Sequence, residues 1–240
     1  MPRGVIVKLL VVTDLVAGYG KTVVINGVSF DVELGQVIGL IGPNGAGKTT
    51  LIKAVLGYLK PWRGKILYEG NDVTGLPAHK LARLGIGYVP ERGGVLRTLT
   101  VRENIELAAS MSKHGGDKLK EVTKLFKIIE ERKTQIAGTL SGGEQKMLSI
   151  AMALVMASKL MVLDEPSAGL APIMRKKVVE VLKKINKEFG ISLVVAEQDP
   201  TVVLETAEVV HVIEMGSIVK SGKTHEIIKP EVLKEYYLGM

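Results

Sequence analysis

The chain has 240 residues, of which 46% are hydrophobic and 24% charged, with a net charge of +7 and no cysteine. This length and apolar content are enough for one large domain or two small lobes. The longest apolar run, from Ile150 to Ala157, is too short to span a bilayer, which argues against an integral membrane protein. The absence of cysteine excludes disulfides and thiolate metal sites, and it fits a cytosolic protein.

The excess of basic residues raises the question of a nucleic-acid or anionic-lipid partner. The lysines and arginines are scattered along the chain and mixed with glutamate, as on solvated helix faces. Only 4% of the residues are aromatic, which leaves few side chains for stacking on bases. We therefore expect no nucleic-acid partner.

The N-terminal part alternates β-prone runs with turns and predicts strands at 5–12, 26–33 and 37–41. Tyr19 stands alone in the polar stretch 18–21, which we predict to be a turn. An exposed aromatic residue there is either a chance surface residue or a platform for a purine ring.

A phosphate-binding loop is predicted directly after the third strand. The pattern G-x-x-x-x-G-K-[S/T] is matched by Gly42, Pro43, Asn44, Gly45, Ala46, Gly47, Lys48, Thr49 and Thr50. Backbone N–H groups of such a turn, with the positive end of the following helix, surround a phosphate. Lys48 would reach the β- and γ-phosphates, and the Thr49 hydroxyl would bind Mg²⁺. The alternative, a glycine-rich turn with a surface lysine, does not account for the flanking strand and helix.

The middle of the chain changes from strand to helix. Short strands are predicted at 65–68 and 86–89, and apolar residues at helical spacing predict one amphipathic helix over 117–132. The stretch 113–116 contains two glycines and is the expected flexible link. We interpret 95–157 as a helical subdomain inserted into a nucleotide-binding core that is formed by 1–94 and 158–240.

The C-terminal part returns to the α/β pattern. Strands are predicted at 160–163, 191–196, 209–213 and 217–219, and a helix at 173–189. Strands that alternate with helices indicate a mainly parallel sheet with right-handed crossovers. No internal repeat is present, so we predict one cassette.

Two adjacent carboxylates, Asp164 and Glu165, follow the predicted strand 160–163. Ligands sit at the carboxyl ends of parallel strands. Because successive strand residues point to opposite faces, the two side chains are expected to have different roles. Asp164 can hold Mg²⁺ or its waters, and Glu165 can accept a proton from the water that attacks the γ-phosphate. The alternative is an acidic N-cap before a helix.

A second anion-binding surface is predicted at the start of the helix that runs to residue 157. Ser141 is a good N-cap, and Gly142 and Gly143 leave backbone N–H groups open. With these motifs together, the chain resembles the ATP-binding subunit of an ABC transporter over its whole length.

This resemblance implies a P-loop NTPase (RecA-like) α/β core with an antiparallel β subdomain and an inserted helical subdomain. It implies ATP and Mg²⁺ as cofactors and a head-to-tail dimer that closes over two ATP molecules. Ser141, Gly142, Gly143 and the adjacent Glu144 would meet the γ-phosphate held by a second subunit. Tyr19 would stack on adenine, and Glu91 would sense Mg²⁺ at the start of a loop that leads to the membrane subunits.

Three positions depart from the general family pattern. Glu91 stands where glutamine is usual, and Ala171 where aspartate is usual. Gln198 stands where a histidine donates to the γ-phosphate; its amide keeps a donor without a charge.

At these three positions the chain resembles the F-type ATP-binding subunit of branched-chain amino-acid importers. That branch implies two membrane-spanning permease subunits, a second ABC ATPase subunit, indirectly a substrate-binding protein, and a peripheral place on the cytoplasmic face of the cell membrane. Whether the dimer is a heterodimer or a homodimer is left open. Residues 92–96 differ from the usual pattern of the branch, so the solute is left open too. The alternatives are the motor of an exporter or lipid-extraction system, and a soluble ABC ATPase acting on ribosomes or DNA. A soluble ATPase of that kind would normally have two cassettes in one chain or a long coiled coil between the two halves of the cassette, and this sequence has neither.

Overall fold

The computed structural model describes residues 7–112 and 115–227, which contain two β-sheets and the helices around them. The smaller sheet is antiparallel, with strand order β2-β1-β4-β5. Its strands are β1 (Lys8–Tyr19), β2 (Thr22–Glu33), β4 (Arg63–Tyr68) and β5 (Asn71–Asp72). Residues 5 and 6 of the first predicted strand lie outside the described residues, and that strand continues well beyond residue 12.

The hairpin between β1 and β2 corrects the predicted turn at 18–21. Tyr19 is the last residue of β1 and pairs with Thr22, so the turn consists of Gly20 and Lys21 alone. A Cβ on Gly18 would lie 1.9 Å from the Thr22 carbonyl oxygen, which makes glycine necessary there. Tyr19 is 49% exposed at the end of this strand.

The larger sheet has six strands in the order β10-β9-β3-β8-β7-β6. They are β3 (Val37–Ile41), β6 (Ile86–Val89), β7 (Leu160–Asp164), β8 (Ser192–Glu197), β9 (Val209–Glu214) and β10 (Ser217–Lys223). All neighbours are parallel except β9 and β10, which form an antiparallel hairpin. Every residue of β3, β7 and β8 is buried, as expected for central strands covered on both faces. The predicted fold class, a P-loop α/β core with an antiparallel β subdomain, is confirmed.

Nine α-helices lie within the described residues. They are α1 (Lys48–Val55), α2 (Ala78–Arg83), α3 (Val101–Ser110), α4 (Gly115–Leu125), α5 (Ile128–Glu131), α6 (Gly142–Met156), α7 (Pro172–Phe189), α8 (Pro200–Thr206) and α9 (Thr224–Ile227). A short 3-10 turn covers Ala137–Thr139. The helices α3 and α6 each begin with a capping box, formed by Thr100 with Glu103 and by Ser141 with Glu144.

The single helix predicted over 117–132 is wrong. The structure has α4 and α5 there, with Phe126 and Lys127 between them. Val122, Phe126 and Ile129 are all buried, so the apolar face continues across the break. Packing of these side chains decides the local backbone, and no proline or glycine marks the break. Residues 113 and 114 of the predicted link lie outside the described residues, while the two glycines that follow begin α4.

The helices α3 to α6 all lie between β6 and β7 along the chain. Residues of α6, such as Leu154, share one apolar core with Leu163 of β7 and Leu182 of α7. On the other face of the sheet, Leu51 of α1 and Leu10 of β1 belong to a second core. The division into 1–94 with 158–240 and 95–157 stays a prediction. None of the described helices combines the length and the apolar character needed to cross a membrane.

We predict that Leu193→Ala lowers the free energy of unfolding by about 2–5 kcal/mol, because Leu193 is fully buried in β8 between two parallel strands. Leu204→Ala is the matched control, since Leu204 is 45% exposed on α8; it should change stability by about 0.5 kcal/mol or less. Urea denaturation measures both. Equal losses in the two variants would contradict this account of the core.

Candidate active site

The phosphate loop connects β3 to α1 through a backbone that needs glycine. Gly45 and Gly47 have φ of 81° and 109°, in the left-handed region that side chains disfavour. A Cβ on Gly42 would lie 2.2 Å from the Ile213 carbonyl oxygen of β9. The glycines therefore allow both the turn and its close approach to the neighbouring strand.

Lys48, the first residue of α1, is only 4% exposed. Its Nζ donates to the carbonyl oxygens of Gly42 at 2.7 Å and Pro43 at 3.2 Å. The same ammonium lies 3.2 Å from Oε1 of Glu165. A buried cation is thus surrounded by oxygens at the mouth of the loop, as the burial of an ammonium group requires.

A cavity of about 450 Å³ lies beside this loop. The predicted residues that line it are Asn44, Gly45, Gly47, Lys48, Thr49, Thr50, Glu91 and Glu165. Val24 and Arg92 line it as well, and the sequence motifs did not indicate either of them. Gly42 and Pro43 face Lys48 through their carbonyls, and Ala46 is buried behind the loop. Tyr19 does not line the cavity.

The sheet brings the carboxyl ends of three strands together beside the loop. Ile41 of β3 is paired with Glu197 of β8, and Ala196 of β8 is paired with Asp164 of β7. Asp164 is buried, and its Oδ1 has no hydrogen-bond partner in the described part of the chain. Burial raises the pKa of the Asp164 carboxyl, while the nearby Thr49 hydroxyl lowers it.

The position of Glu165 corrects the expectation from strand alternation. β7 ends at Asp164, and Glu165 has a φ of 45°, which turns its backbone out of the strand. Its N–H donates to the Ala196 carbonyl oxygen at 2.9 Å, and its carboxylate faces Lys48. The two acidic side chains are therefore separated by a sharp backbone turn, and the alternation of a continuing strand does not apply.

The side chains at this site would hold Mg²⁺ only together with phosphate oxygens of a nucleotide, because too few protein ligands are present to hold it alone. Among the described residues, no group of three or more histidine or acidic side chains is arranged to hold a metal. Mg²⁺ is typically held by one or two carboxylates plus substrate phosphates, and the free buried oxygen of Asp164 beside the Thr49 hydroxyl fits that donor set. Glu91 lines the same cavity, with Oε1 3.3 Å from Arg92 Nε.

A second cavity, of about 390 Å³, adjoins the first through Glu165 and contains Gln198. Its buried wall includes Glu197, whose Oε1 accepts the backbone N–H of Ser167 at 2.9 Å. Burial raises the pKa of Glu197 to about 7. The sequence motifs assign no role to Glu197. The one feature that could have indicated this residue is an acidic side chain at the end of an apolar predicted strand.

The loop of residues 167–170 after β7 is held by Glu197 at Ser167 and, at Leu170, by an arginine that forms an ion pair. Arg175 Nη1 donates to Asp199 Oδ2 at 2.8 Å, and Arg175 Nε donates to the Leu170 carbonyl oxygen at 3.0 Å. The segment 197–199, which contains Gln198, therefore holds the loop 167–170 through both of its acidic residues.

The segment that begins α6 lies apart from the phosphate cavity. Ser141 Oγ donates to Glu144 Oε2 at 2.7 Å and accepts the Glu144 N–H at 3.3 Å. A Cβ on Gly142 would meet nothing within 4 Å, so the N-terminus of α6 opens outward there. None of Ser141, Gly142, Gly143 and Glu144 lines the cavity beside the phosphate loop. A single chain does not bring these residues to its own phosphate loop.

Comparisons with known proteins agree on the kind of molecule. The family model described as "ABC transporter" matches residues 25–168. The chain is 37% identical over 223 residues to the high-affinity branched-chain amino acid transport ATP-binding protein BraG of Pseudomonas aeruginosa, covering 92% of this chain and 95% of that protein. It is 32% identical to the lipopolysaccharide export system ATP-binding protein LptB of Haemophilus influenzae, covering 97% and 98% of the two chains. A crystal structure of an ATP-binding cassette of an ABC transporter in its ADP conformation is 28% identical, with a TM-score of 0.84 and coverage of 97% and 99%.

The raised pKa of Glu197 predicts a pH dependence of stability. In the unfolded chain this carboxyl loses its proton near its ordinary pKa of 4.5, whereas in the folded chain it keeps the proton up to about pH 7. The folded state therefore binds more protons in this window, and its stability falls as pH rises through it. Glu197→Gln cannot ionise and keeps an acceptor for Ser167. Above pH 7 it should be more stable than the wild type by about 3 kcal/mol, and the difference should vanish below about pH 4.5.

Urea denaturation of both proteins from about pH 4 to pH 8 measures this difference. Glu197→Ala is the control, because it leaves the Ser167 N–H without its acceptor and should be destabilised at every pH. Parallel pH profiles of the wild type and Glu197→Gln would show that Glu197 does not titrate in this window.

Proposed function

The chain belongs to the ABC transporter ATP-binding proteins, whose ATP hydrolysis is coupled to transport, and we propose that it drives an importer of branched-chain or similar hydrophobic amino acids. The observation that carries the catalytic part is the contact between Lys48 and Glu165 at the phosphate cavity. It supports a role for Glu165 as a proton acceptor beside the cation that would hold the γ-phosphate.

We assign the hydrolytic roles from this arrangement. Lys48 and the loop N–H groups bind the phosphates and orient the terminal one. Glu165, turned out of β7 toward the cavity, accepts the proton of the attacking water. Gln198, in the adjoining cavity, donates its amide N–H toward the γ-phosphate.

Thr49, Asp164 and Glu91 are the residues that would hold Mg²⁺ with the phosphates. When bound, the ion would neutralise charge on the phosphate oxygens. The buried free oxygen of Asp164 supports this assignment, because a buried carboxylate oxygen without a donor is costly.

A head-to-tail dimer would complete the site. Ser141, Gly142, Gly143 and Glu144 do not line the phosphate cavity of their own chain, and the open N–H groups at Gly142 suit an anion held by another subunit. We propose that a second ABC ATPase subunit supplies the opposing phosphate loop, either a related chain or a second copy. Tyr19, exposed at the end of β1, would stack on adenine.

The membrane partners would dock beside the loop of residues 90–94, which follows β6 and is called the Glu91 loop below. An apolar groove of about 470 Å³ lies next to Pro90 and Gly94, and its walls include Leu56, Tyr58 and Tyr88. We propose that a cytoplasmic segment of one permease subunit occupies this groove, that the second permease subunit docks on the second ATPase subunit, and that this ATPase is bound peripherally to the cytoplasmic face. A substrate-binding protein would act on the other side of the membrane. The helices between β6 and β7 would move as the proposed subdomain 95–157.

The solute is proposed from the relatives. The similarity to BraG at 37% identity supports a branched-chain amino acid, and the similarity to LptB at 32% makes lipid export the second candidate. The ATPase would never touch the solute in either case, so its own residues do not decide between them.

We predict that Lys48→Ala abolishes nucleotide binding and turnover, because it removes the buried phosphate cation. Glu165→Gln should keep ATP binding but slow hydrolysis at least about 100-fold, because the amide cannot accept a proton. It should also accumulate an ATP-bound dimer. The measurements are phosphate release, ATP binding and size-exclusion chromatography with ATP.

Glu106→Gln is the matched control for this loss of charge, because Glu106 is exposed on α3 and its one ion pair within the described residues is with Arg102 at 3.8 Å. Its turnover should equal that of the wild type. Rapid hydrolysis by Glu165→Gln would remove Glu165 from its proposed role.

The proposed transport function is tested by capture of the assembled complex. Tagged Glu165→Gln protein, with ATP, is recovered from gently solubilised native membranes, and the co-purified subunits are identified and reconstituted with wild-type ATPase in liposomes. Recovery of two permease subunits and ATP-dependent uptake of leucine would support the importer. Recovery of lipid-export components would favour the second candidate, and ribosomal or nucleic-acid partners would overturn the transport function.

A further inference from the structure

Lys146 is a buried lysine on α6 that holds the backbone of the Glu91 loop. It is 8% exposed, and its Nζ donates to the carbonyl oxygens of Pro90 and Glu91, both at 2.9 Å. Both acceptors lie 55 or 56 residues earlier in the chain. The ammonium therefore fixes two consecutive peptide groups of a loop to α6, the helix whose N-cap is Ser141.

Four acidic side chains lie near the ammonium group of Lys146. Burial lowers the pKa of Lys146, and the nearby Glu197, Glu91, Asp164 and Glu165 oppose this shift only in part. Lys146 thus lies close enough to the acidic side of the phosphate site to interact with it without lining the cavity.

The same face of α6 makes a second close approach to this loop. Ser149 lies one helical turn after Lys146, and a Cβ on Gly94 would come within 2.1 Å of Ser149 Oγ. Ser149 Oγ is buried and has no hydrogen-bond partner within the described residues. Ser149 therefore packs against the loop without a hydrogen bond. The hydrogen bonds that α6 donates to residues 90 and 91 come from Lys146.

The loop held in this way separates two cavities. Glu91 and Arg92 line the phosphate cavity, and Pro90 and Gly94 line the apolar groove. Glu91 is partly exposed, and its side chain is ion-paired only with the very exposed Arg92 among the described residues. Its direction toward the phosphate cavity therefore depends on how its backbone is held.

We propose that Lys146 is a positioning residue that holds the Glu91 side chain at the phosphate cavity, so that divalent-cation binding with nucleotide depends on α6. This inference rests on the proposed metal role of Glu91. Lys146 itself touches neither nucleotide nor metal; it acts through the peptide groups of residues 90 and 91.

The test is equilibrium binding of a fluorescent ATP analogue, titrated with Mg²⁺ and also measured in EDTA. Lys146→Met keeps the length of the side chain and removes its donors. It should raise the Mg²⁺ concentration for half-maximal binding about tenfold, as the loss of an outer-shell partner does. Binding in EDTA should stay within about twofold, because the phosphate loop is unchanged. A merely structural role would weaken binding in both conditions alike.

Two further variants sharpen the test. Ser149→Ala, on the same face of α6, removes a hydroxyl without a hydrogen-bond partner and should leave both titrations unchanged. Glu91→Ala should raise the Mg²⁺ requirement by itself, and adding Lys146→Met to it should cause no further rise, since the two residues act on one step. Where Lys146→Met fails to fold, Lys146→Gln, which has a shorter side chain and no charge, replaces it in the same series.

The outcomes separate the two ideas. A wild-type protein whose nucleotide binding ignores Mg²⁺ would remove the metal role of Glu91 and this inference with it. A wild type that needs Mg²⁺, combined with a folded Lys146→Met variant of the same Mg²⁺ requirement, would overturn the inference alone. Additive effects of Glu91→Ala and Lys146→Met would show that Lys146 acts elsewhere.

Discussion

The burial of one ammonium group, that of Lys48, is the constraint on which the site depends. A charge that is 4% exposed is stable only if oxygen atoms replace its water. The loop carbonyls of Gly42 and Pro43 do so, together with Glu165. This forces the loop to fold back over Lys48 and requires glycine where the backbone turns. In the proposed mechanism a nucleotide phosphate would take over as an oxygen partner of Lys48, and Glu165 would then face the attacking water.

The second constraint is the order of the strands. β8 lies between β3 and β7, so the phosphate loop, Glu197 and Asp164 meet at one edge although more than 100 residues separate the first from the others. The apolar runs of the sequence predicted strands of the larger sheet closely, including 37–41 at its centre and 86–89 at its edge. They could not predict which strands are neighbours, because a buried apolar run has the same pattern wherever it lies in a sheet.

The incorrect predictions share a cause, because the backbone at these positions depends on contacts between residues that are distant in the sequence. Glu165 was expected to continue the alternation of a strand, but its N–H bonds to Ala196 and the chain turns. The helix over 117–132 was expected to be continuous, but buried Phe126 lies at a break that no local signal marks. Motif residues were predictable because chemistry fixes their spacing. Lys146 was not, because its acceptors are backbone carbonyls, which every residue has.

The helix α6 connects the outward-facing Ser141 at its N-terminus with the Glu91 loop at the phosphate cavity of the same chain. Its N-terminus at Ser141 opens outward, and Lys146 on the same helix holds the loop of Glu91. The two points are separated by five residues, about 7.5 Å along a rigid helix. If a second subunit presents its phosphate at Ser141, a shift of α6 would be transmitted through Lys146 to the backbone of Glu91. In the proposed dimer each α6 would then report the occupancy of one site to the other, through packed atoms and without a flexible link.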